Sequence, residues 1–347
     1  MGQSEVRDED AFDVPAVQAW LRSVADVPGE LPVVRQFTSG ASNLTFVLRY
    51  PSGEELVLRR PPAGTKAASA HDMGREFRVQ SALRPVFGKV PAMVGYCDDL
   101  SVIGSPFYVM EKVDGVVLHG DLPEGVHLST DDARELGARY IRTLTELHAV
   151  DVDVAGLRDL GRGPGYVRRQ VEGWTKRYRA ARTDNVPDFA TVASWLDATA
   201  PPDVAERLIH NDFRIDNFVL YDRWQVVAVL DWEMATIGDP LMDLGGALAY
   251  WVEPGDALPL QAFKRQPSDL PGMPSRSELV RSYGELTGVT IDDWPFYEVF
   301  GLFRLAGIAQ QIYYRYHHGQ TTNPLFADFW QIVVCLEERC RTIIGTA

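Results

Sequence analysis

The sequence predicts an α+β fold of two lobes, a smaller N-terminal one built on an antiparallel sheet and a larger, mainly helical C-terminal one. Three observations carry that expectation. Between Val33 and Arg60, short runs of alternating apolar and polar residues, the last two separated by Pro51-Ser52-Gly53, have the pattern of antiparallel strands. Beyond about residue 129, apolar residues recur at helical spacing behind capping residues. The chain has 347 residues and is 46% hydrophobic, and that length favours two cores over one. The boundary is expected after Val113, giving domains 1–113 and 114–347.

Taken in order, the chain starts with a loose acidic tail to about residue 11. Asp13 can cap a helix with Pro15 in its first turn, and Val17, Trp20, Leu21 and Val24 give that helix one apolar face. Strands are expected over 33–37, 45–50 and 55–60. Between the first two lies Thr38-Ser39-Gly40-Ala41-Ser42-Asn43, either a plain hairpin loop or a turn small enough for its backbone N–H groups to approach an anion. Strand alternation puts Val57 and Arg59 on one face, Leu56 and Leu58 on the core face, and Arg60 opposite Arg59. A helix over 72–83 turns Phe77 and Val79 inward and carries Glu76. Residues 105–115, which include Met110, Glu111 and Val113, read as a strand running into a turn.

In the helical lobe, Ser129 with Asp132 resembles a capping box, and Leu136, Tyr140, Ile141, Leu144, Leu147 and His148 fall on one face of the helix that follows. His148 ends that stripe as a core histidine. Residues 162–182 hold seven basic side chains against one acid, with Val167, Val171, Trp174 and Tyr178 as the buried stripe. The charges form either a solvated face or a dock for an anionic substrate. Five prolines between 254 and 274 argue against regular structure there and for a long ordered loop or lid. Ser275 with Glu278 caps a helix ending near Gly288, and Asp293 and Pro295 open a long one with Phe296, Phe300, Phe303 and Ile312 inward. Pro324 begins a last helix carrying Phe329, Trp330 and Val333, and His317-His318 reads as a surface turn.

The densest chemistry runs from Leu208 to Asp231. His210, Asp212 and Asn217 share one polar loop, and after a short hairpin turning at Asp222-Arg223 comes Asp231. Phosphoryl transfer asks little covalent chemistry of a protein. It needs a base beside the accepting hydroxyl and oxygen donors that hold magnesium on a triphosphate. His-x-Asp-x4-Asn followed by Asp supplies both: Asp212 as base, Asn217 and Asp231 as metal ligands, and Arg214 as a cation against the transferred group.

His210-Asn-Asp-Phe-Arg-Ile-Asp-Asn217, Ala228-Val-Leu-Asp-Trp-Glu233 and Ile237-Gly-Asp-Pro-Leu-Met-Asp-Leu244 together resemble the aminoglycoside phosphotransferase/choline kinase superfamily. They are most similar to the branch whose kinase domain is fused, in animals, to acyl-CoA dehydrogenases. The resemblance covers nearly the whole chain from Val33 onward and is most specific over 208–243. It implies a two-lobed protein-kinase-like fold, ATP and Mg2+ as cofactors, and a small-molecule hydroxyl, such as that of a hydroxyacyl-CoA or hydroxy acid, as acceptor. Residue by residue, it implies that Ser39, Gly40, Ser42 and Asn43 meet phosphate, Val57 and Met110 flank adenine, and the backbone of Glu111 and Val113 bonds to it. Arg59 then reaches the phosphates, braced by Glu76, where the superfamily usually has lysine; an exposed strand arginine and an ordinary surface glutamate are the alternatives. Asp243 resembles the aspartate that braces the catalytic loop, or serves as a helix cap.

The bulk numbers narrow the field. A net charge of −14 and a pI near 5.0 argue against a nucleic-acid partner. Cys97, Cys335 and Cys340 have neither a pairing nor a zinc-binding pattern, the start is acidic without an apolar run, and Val6 breaks the myristoylation pattern. A reduced, cytoplasmic protein with no membrane segment is expected. Two rivals to the kinase of a hydroxy acid remain: an aminoglycoside or macrolide antibiotic kinase, and a non-catalytic nucleotide-binding module. Residues 239–347 hold thirteen acids against eight bases, which suits a cationic drug, while the basic stretch suits an anion.

Overall fold

Strand alternation and helix caps place the elements close to where the sequence puts them. The computed structural model describes residues 2–37, 43–62 and 72–347. In chain order these form β1 (Gln3–Ser4), α1 (Val14–Val24), β2 (Val33–Phe37), β3 (Leu44–Arg49), β4 (Glu55–Arg60), α2 (Met73–Leu83), β5 (Met93–Cys97), α3 (Leu100–Ile103) and β6 (Phe107–Glu111). Helices α4 (Thr130–His148), α5 (Tyr166–Ala181) and α6 (Ala190–Thr199) follow, then β7 (Arg207–Ile209), β8 (Phe218–Tyr221), β9 (Gln225–Val229) and β10 (Thr236–Gly238). The remainder is helical: α7 (Pro240–Leu248), α8 (Leu258–Ala262), α9 (Arg276–Thr287), α10 (Trp294–His317) and α11 (Phe329–Thr346).

The chain divides into two compact units, Met1–Val117 with Phe218–Glu233, and Leu118–Asn217 with Met234–Ala347. The sequence-based boundary after Val113 was a single cut. In the structure the β8–β9 hairpin groups with the first unit, through a bridge between Val116 and Leu220 and a bond from Val229 N–H to the Lys89 carbonyl.

In the first unit a six-stranded antiparallel sheet runs β1-β2-β3-β4-β6-β5. Because side chains alternate across a strand, β4 serves two environments. Leu56 and Leu58 join Phe46, Leu48, Phe107 and Val109 in a core that α1 closes with Val17 and Leu21. Val57 faces the other way, among Met73, Tyr108 and Met110. Arg60 is buried on the α1 side, where its guanidinium meets the Asp10 carbonyl and the rings of Phe12 and Phe46. Asp13 and Asp72 cap α1 and α2 as their positions require.

The second unit is helices packed around α10, which lies against α11, α7 and α5. Capping boxes start α4 at Ser129 and α9 at Ser275. Two expectations change. The proline-rich stretch contains a short helix, α8, because Pro259 sits in its first turn, where a missing N–H is no loss. Pro324 opens only a short 3₁₀ turn capped by Asn323, and the last helix begins at Phe329. Among the described residues, no helix is long and apolar enough to cross a membrane.

Candidate active site

In the second unit, β7 pairs antiparallel with β10 and delivers the loop 210–217 from its end. The loop turns at Asn211, whose φ of 65° lies in the left-handed region that asparagine tolerates better than most residues. Asp243, in the first turn of α7, holds this turn: its Oδ2 accepts the His210 N–H and its Oδ1 the Asn211 N–H, both at 2.8 Å. The cap of α7 is Asp239, whose Oδ1 accepts from Leu241 and Met242. Asp243 is therefore free of capping and serves the loop. Burial works against its charge, but the His148 and His210 side of the site and the bonds it accepts hold its carboxyl below the usual range.

Within the loop His210 is fully buried, and its Nδ1 accepts the Asp212 N–H at 3.2 Å. Asp212 is held from two sides. Arg214 Nη1 lies 2.9 Å from its Oδ1, and Asn217 Nδ2 donates to its Oδ2 at 3.2 Å and to its carbonyl at 2.9 Å. Asn217 spends its amide N–H groups on Asp212, which leaves its Oδ1, an oxygen donor of the kind magnesium takes, turned from that contact. Arg214 lies over the Tyr250 ring at 4.8 Å and also binds Asp216 Oδ1 through Nε at 2.8 Å. Burial opposes its charge, and Asp212 and Asp216 more than compensate, keeping it protonated. Gln266 ties the proline-rich stretch to the loop by accepting the Ile215 N–H at 2.8 Å.

The first unit gathers a second set. Arg59 reaches Glu76 Oε1 through Nη1 at 2.7 Å and Asp231 Oδ1 through Nη2 at 3.3 Å. Burial opposes the Arg59 charge, while Glu76, Tyr108 and Asp231 keep it protonated; burial also pushes the Glu76 carboxyl up against the pull of Arg59. Asp231, at φ 67°, stands in the left-handed region just past β9. Asn43 donates its amide to Glu233 Oε2 at 3.1 Å, and Arg75 of α2 donates to the Glu233 carbonyl at 2.9 Å. Val57 and Met110 are direct partners across β4 and β6. The Glu111 N–H is given to the Ala92 carbonyl at 2.8 Å, so that N–H is already engaged. Ser39, Gly40 and Ser42 lie outside the described residues.

The two sets thus join His210, Asp212, Arg214 and Asn217 in one unit, and Arg59, Glu76 and Asp231 in the other. A family model described as the phosphotransferase enzyme family matches residues 33–279. The chain belongs to this family. Acyl-CoA dehydrogenase family member 11 of Gallus gallus is 38% identical over 97% of the chain, and family member 10 of Mus musculus is 35% identical over 92%. The chain spans 44% and 30% of those two proteins, less than half of either. A crystal structure of a proposed aminoglycoside phosphotransferase from Ralstonia eutropha JMP134 is 32% identical, with a TM-score of 0.82 over 97% of this chain and 99% of that one. A spectinomycin phosphotransferase solved with ADP and spectinomycin matches at 10% identity and a TM-score of 0.56, covering 96% of this chain and 98% of that one. At that identity it shows the kinase-like fold alone.

Sequence reasoning about this member of the phosphotransferase enzyme family missed the partners that tertiary structure supplies. Asp216, its side chain 3% exposed, anchors Arg214 and lies 3.6 Å from Arg265 Nη2. Arg304 of α10 is also buried and donates to the Asn211 carbonyl. Asp216 is visible in the motif itself, whereas Arg304 carries no local signal. On α5, Val167, Val171, Trp174 and Tyr178 are buried as the spacing requires. Three of its basic residues have partners: Arg168 with Asp197, Arg169 with the carbonyls of Gly163 and Pro164, and Arg177 on the Trp174 ring at 4.0 Å.

Proposed function

We propose that this phosphotransferase-family chain is a kinase that moves the γ-phosphoryl group of ATP onto a hydroxyl of a small molecule. The observation that carries the reading is Asp212, held between Arg214 and Asn217 on a loop pinned by Asp243. Asp212 accepts the proton of the attacking hydroxyl as its oxygen bonds to the γ-phosphorus. The bond from that phosphorus to the β–γ bridging oxygen breaks, and ADP leaves. Arg214 sets its positive charge against the transferring group, and His210, whose Nδ1 accepts the Asp212 N–H, serves the reaction through the loop that carries the base. Magnesium, held through the oxygens of Asn217 and Asp231, would neutralise charge on the β- and γ-phosphates.

In the first unit, Arg59, braced by Glu76, meets the phosphates, with Ser39, Gly40, Ser42 and Asn43 supplying backbone N–H groups. Val57 and Met110 flank adenine, and the Glu111 carbonyl and Val113 backbone bond to its edge. Membership of the phosphotransferase enzyme family supports nucleotide use. For the acceptor, we read a hydroxyacyl-CoA or related hydroxy acid. Likeness to the acyl-CoA dehydrogenase family members supports this, as does the basic α5, where Lys176 and Arg179 are exposed. The antibiotic-kinase reading draws on the Ralstonia eutropha neighbour.

The reading is tested by ATP turnover in Asp212→Asn, expected to fall by about 10²–10⁴-fold with nucleotide affinity kept. Turnover within a few-fold of wild type would remove Asp212 as the base. Charge reversal at Lys176 and Arg179 should raise the acceptor KM and leave that of ATP alone; an unchanged acceptor KM removes α5 from substrate binding.

A further inference from the structure

We propose that Arg304 of α10 and Arg177 of α5, gathered on the ring of Trp174, form the subsite that takes an oxyanion of the acceptor beside the catalytic loop. The acceptor's part in this rests on the kinase reading; the affinity of the two arginines for an anion does not.

A buried guanidinium has lost most of its water, and a carboxylate ordinarily takes the water's place. Other buried arginines of the second unit follow that rule. Arg214 lies against Asp212 and Asp216, Arg276 against Glu253 and Asp256, and Arg339 against Asp256 and Glu298. Arg304 departs from it. The residue is 7% exposed, and among the described residues no carboxylate pairs with it. Its Nη2 donates to the Asn211 carbonyl, and its guanidinium lies over the Trp174 ring at 5.6 Å. A carbonyl and a ring face offer only partial negative charge. Among the described residues Nε and Nη1 make no hydrogen bond, and neither is sealed from solvent. The charge is buried, unmatched and reachable.

Arg177 adds a second cation. Its guanidinium lies over the same ring at 4.0 Å, again with no carboxylate partner among the described residues. Burial, and then the charge of Arg304, lower its pKa from the ordinary arginine value. Two like charges gathered on one indole repel, and an anion beside them relieves that repulsion. The framework that gathers them is helical. Trp174 and Arg177 stand one turn apart on α5, and Arg304 and Gly307 one turn apart on α10. Gly307 lets the ring lie against α10, since a Cβ there would come 3.0 Å from Trp174 Cε3.

The place of the pair says whose anion it takes. Arg304 holds the Asn211 carbonyl, the Tyr166 hydroxyl donates to the Asn211 Oδ1 at 3.2 Å, and the next residue is Asp212. An acceptor with its hydroxyl at Asp212 and an anionic group further along brings that group to this pair. Guanidinium donors match the oxygens of a carboxylate or a phosphate. The proposed acceptors carry one or the other: a free hydroxy acid its carboxylate, a coenzyme A thioester its phosphates. A polycation such as an aminoglycoside would meet like charge instead.

Binding without turnover tests the subsite. Coenzyme A and hydroxybutyrate are titrated calorimetrically into the full chain, with ADP present to fill the nucleotide site, for wild type, Arg177→Gln, Arg304→Gln and Arg304→Lys. Glutamine at 304 keeps a donor for the Asn211 carbonyl and loses the charge, whereas lysine keeps both. At least one probe should bind wild type, with a Kd that rises about 10-fold or more in each glutamine variant and less in Arg304→Lys. The probe that responds names the source, hydroxybutyrate the carboxylate and coenzyme A the phosphates. A merely structural role for Arg304 lowers Tm in Arg304→Gln and leaves probe affinity where it was. Should Arg304→Gln fail to fold, Arg177→Gln decides alone. A wild type that binds neither probe, or unchanged affinity in the glutamine variants, overturns the proposal. Probe binding that needs both arginines in a wild type that turns over no acceptor keeps the anion site, and fails the kinase reading and with it the acceptor's part.

Discussion

Arg59 bridges two carboxylates with one rigid fork, Glu76 on one side and Asp231 on the other. A lysine can match the charge but not both contacts in one plane. Arg59→Lys should therefore raise the KM for ATP several-fold and Arg59→Ala by more, with Arg59→Ala also losing about 3–5 kcal/mol of stability because Glu76 is left buried and unpaired. Steady-state kinetics at varied ATP and denaturant unfolding check the two parts; equal kinetics in all three proteins would remove Arg59 from nucleotide binding. Asp243 makes a prediction about pH. Its carboxyl is held below the ordinary 3.8, so in the folded state it stays charged to lower pH than in the unfolded chain. That contribution is fully present above the unfolded value and is lost as pH falls through the lower folded one. Melting temperatures should thus fall more steeply below about pH 4 in wild type than in Asp243→Asn, and parallel curves would contradict this.

Helices α7 and α10 meet glycine to glycine. A Cβ on Gly301 would run into the Gly245 carbonyl oxygen, a backbone atom that cannot swing aside. Gly301→Ala should destabilise the protein by roughly 1–3 kcal/mol in denaturant melts, a small effect there meaning that the helices separate easily. At the starts of α4 and α9, Ser129→Ala and Ser275→Ala should each cost about 1 kcal/mol, since each removes the hydroxyl that accepts the Asp132 or Glu278 N–H and leaves only the backbone half of the capping box. These caps were readable because they lie within four residues of chain. The short α8 was not, since five prolines in twenty-one residues look like a breaker until one of them is seen to occupy a first turn. What orders that stretch also comes from afar: Arg276 pairs with Glu253 and Asp256, and Gln266 reaches Ile215.

For the molecule as a whole, the α+β architecture and the kinase-like fold followed from alternation, caps and one motif, and the family matches agree with them. The loop from His210 to Asn217 could be read because its members are fixed relative to one another by a few residues of backbone. The faces of β4 could be read because alternation is strict, so Val57 and Arg60 lie where the period puts them. What stayed hidden depends on contacts between distant segments. His148 looked like a packing residue, and its bond to Asp243 spans 95 positions. The hairpin 218–233 looked continuous with the helical lobe, and it groups with the sheet. The central claim is that Asp212 serves as base in magnesium-dependent phosphoryl transfer from ATP to a small-molecule hydroxyl. Its most direct test is ATP consumption, with and without magnesium, against hydroxyacyl-CoAs, hydroxy acids, sugars, amino alcohols and aminoglycosides, for wild type beside Asp212→Asn. The account predicts turnover on one acceptor class that needs magnesium and falls by about 10²-fold or more in Asp212→Asn. Turnover that survives intact in Asp212→Asn, or ATP binding with no turnover on any acceptor, would contradict it.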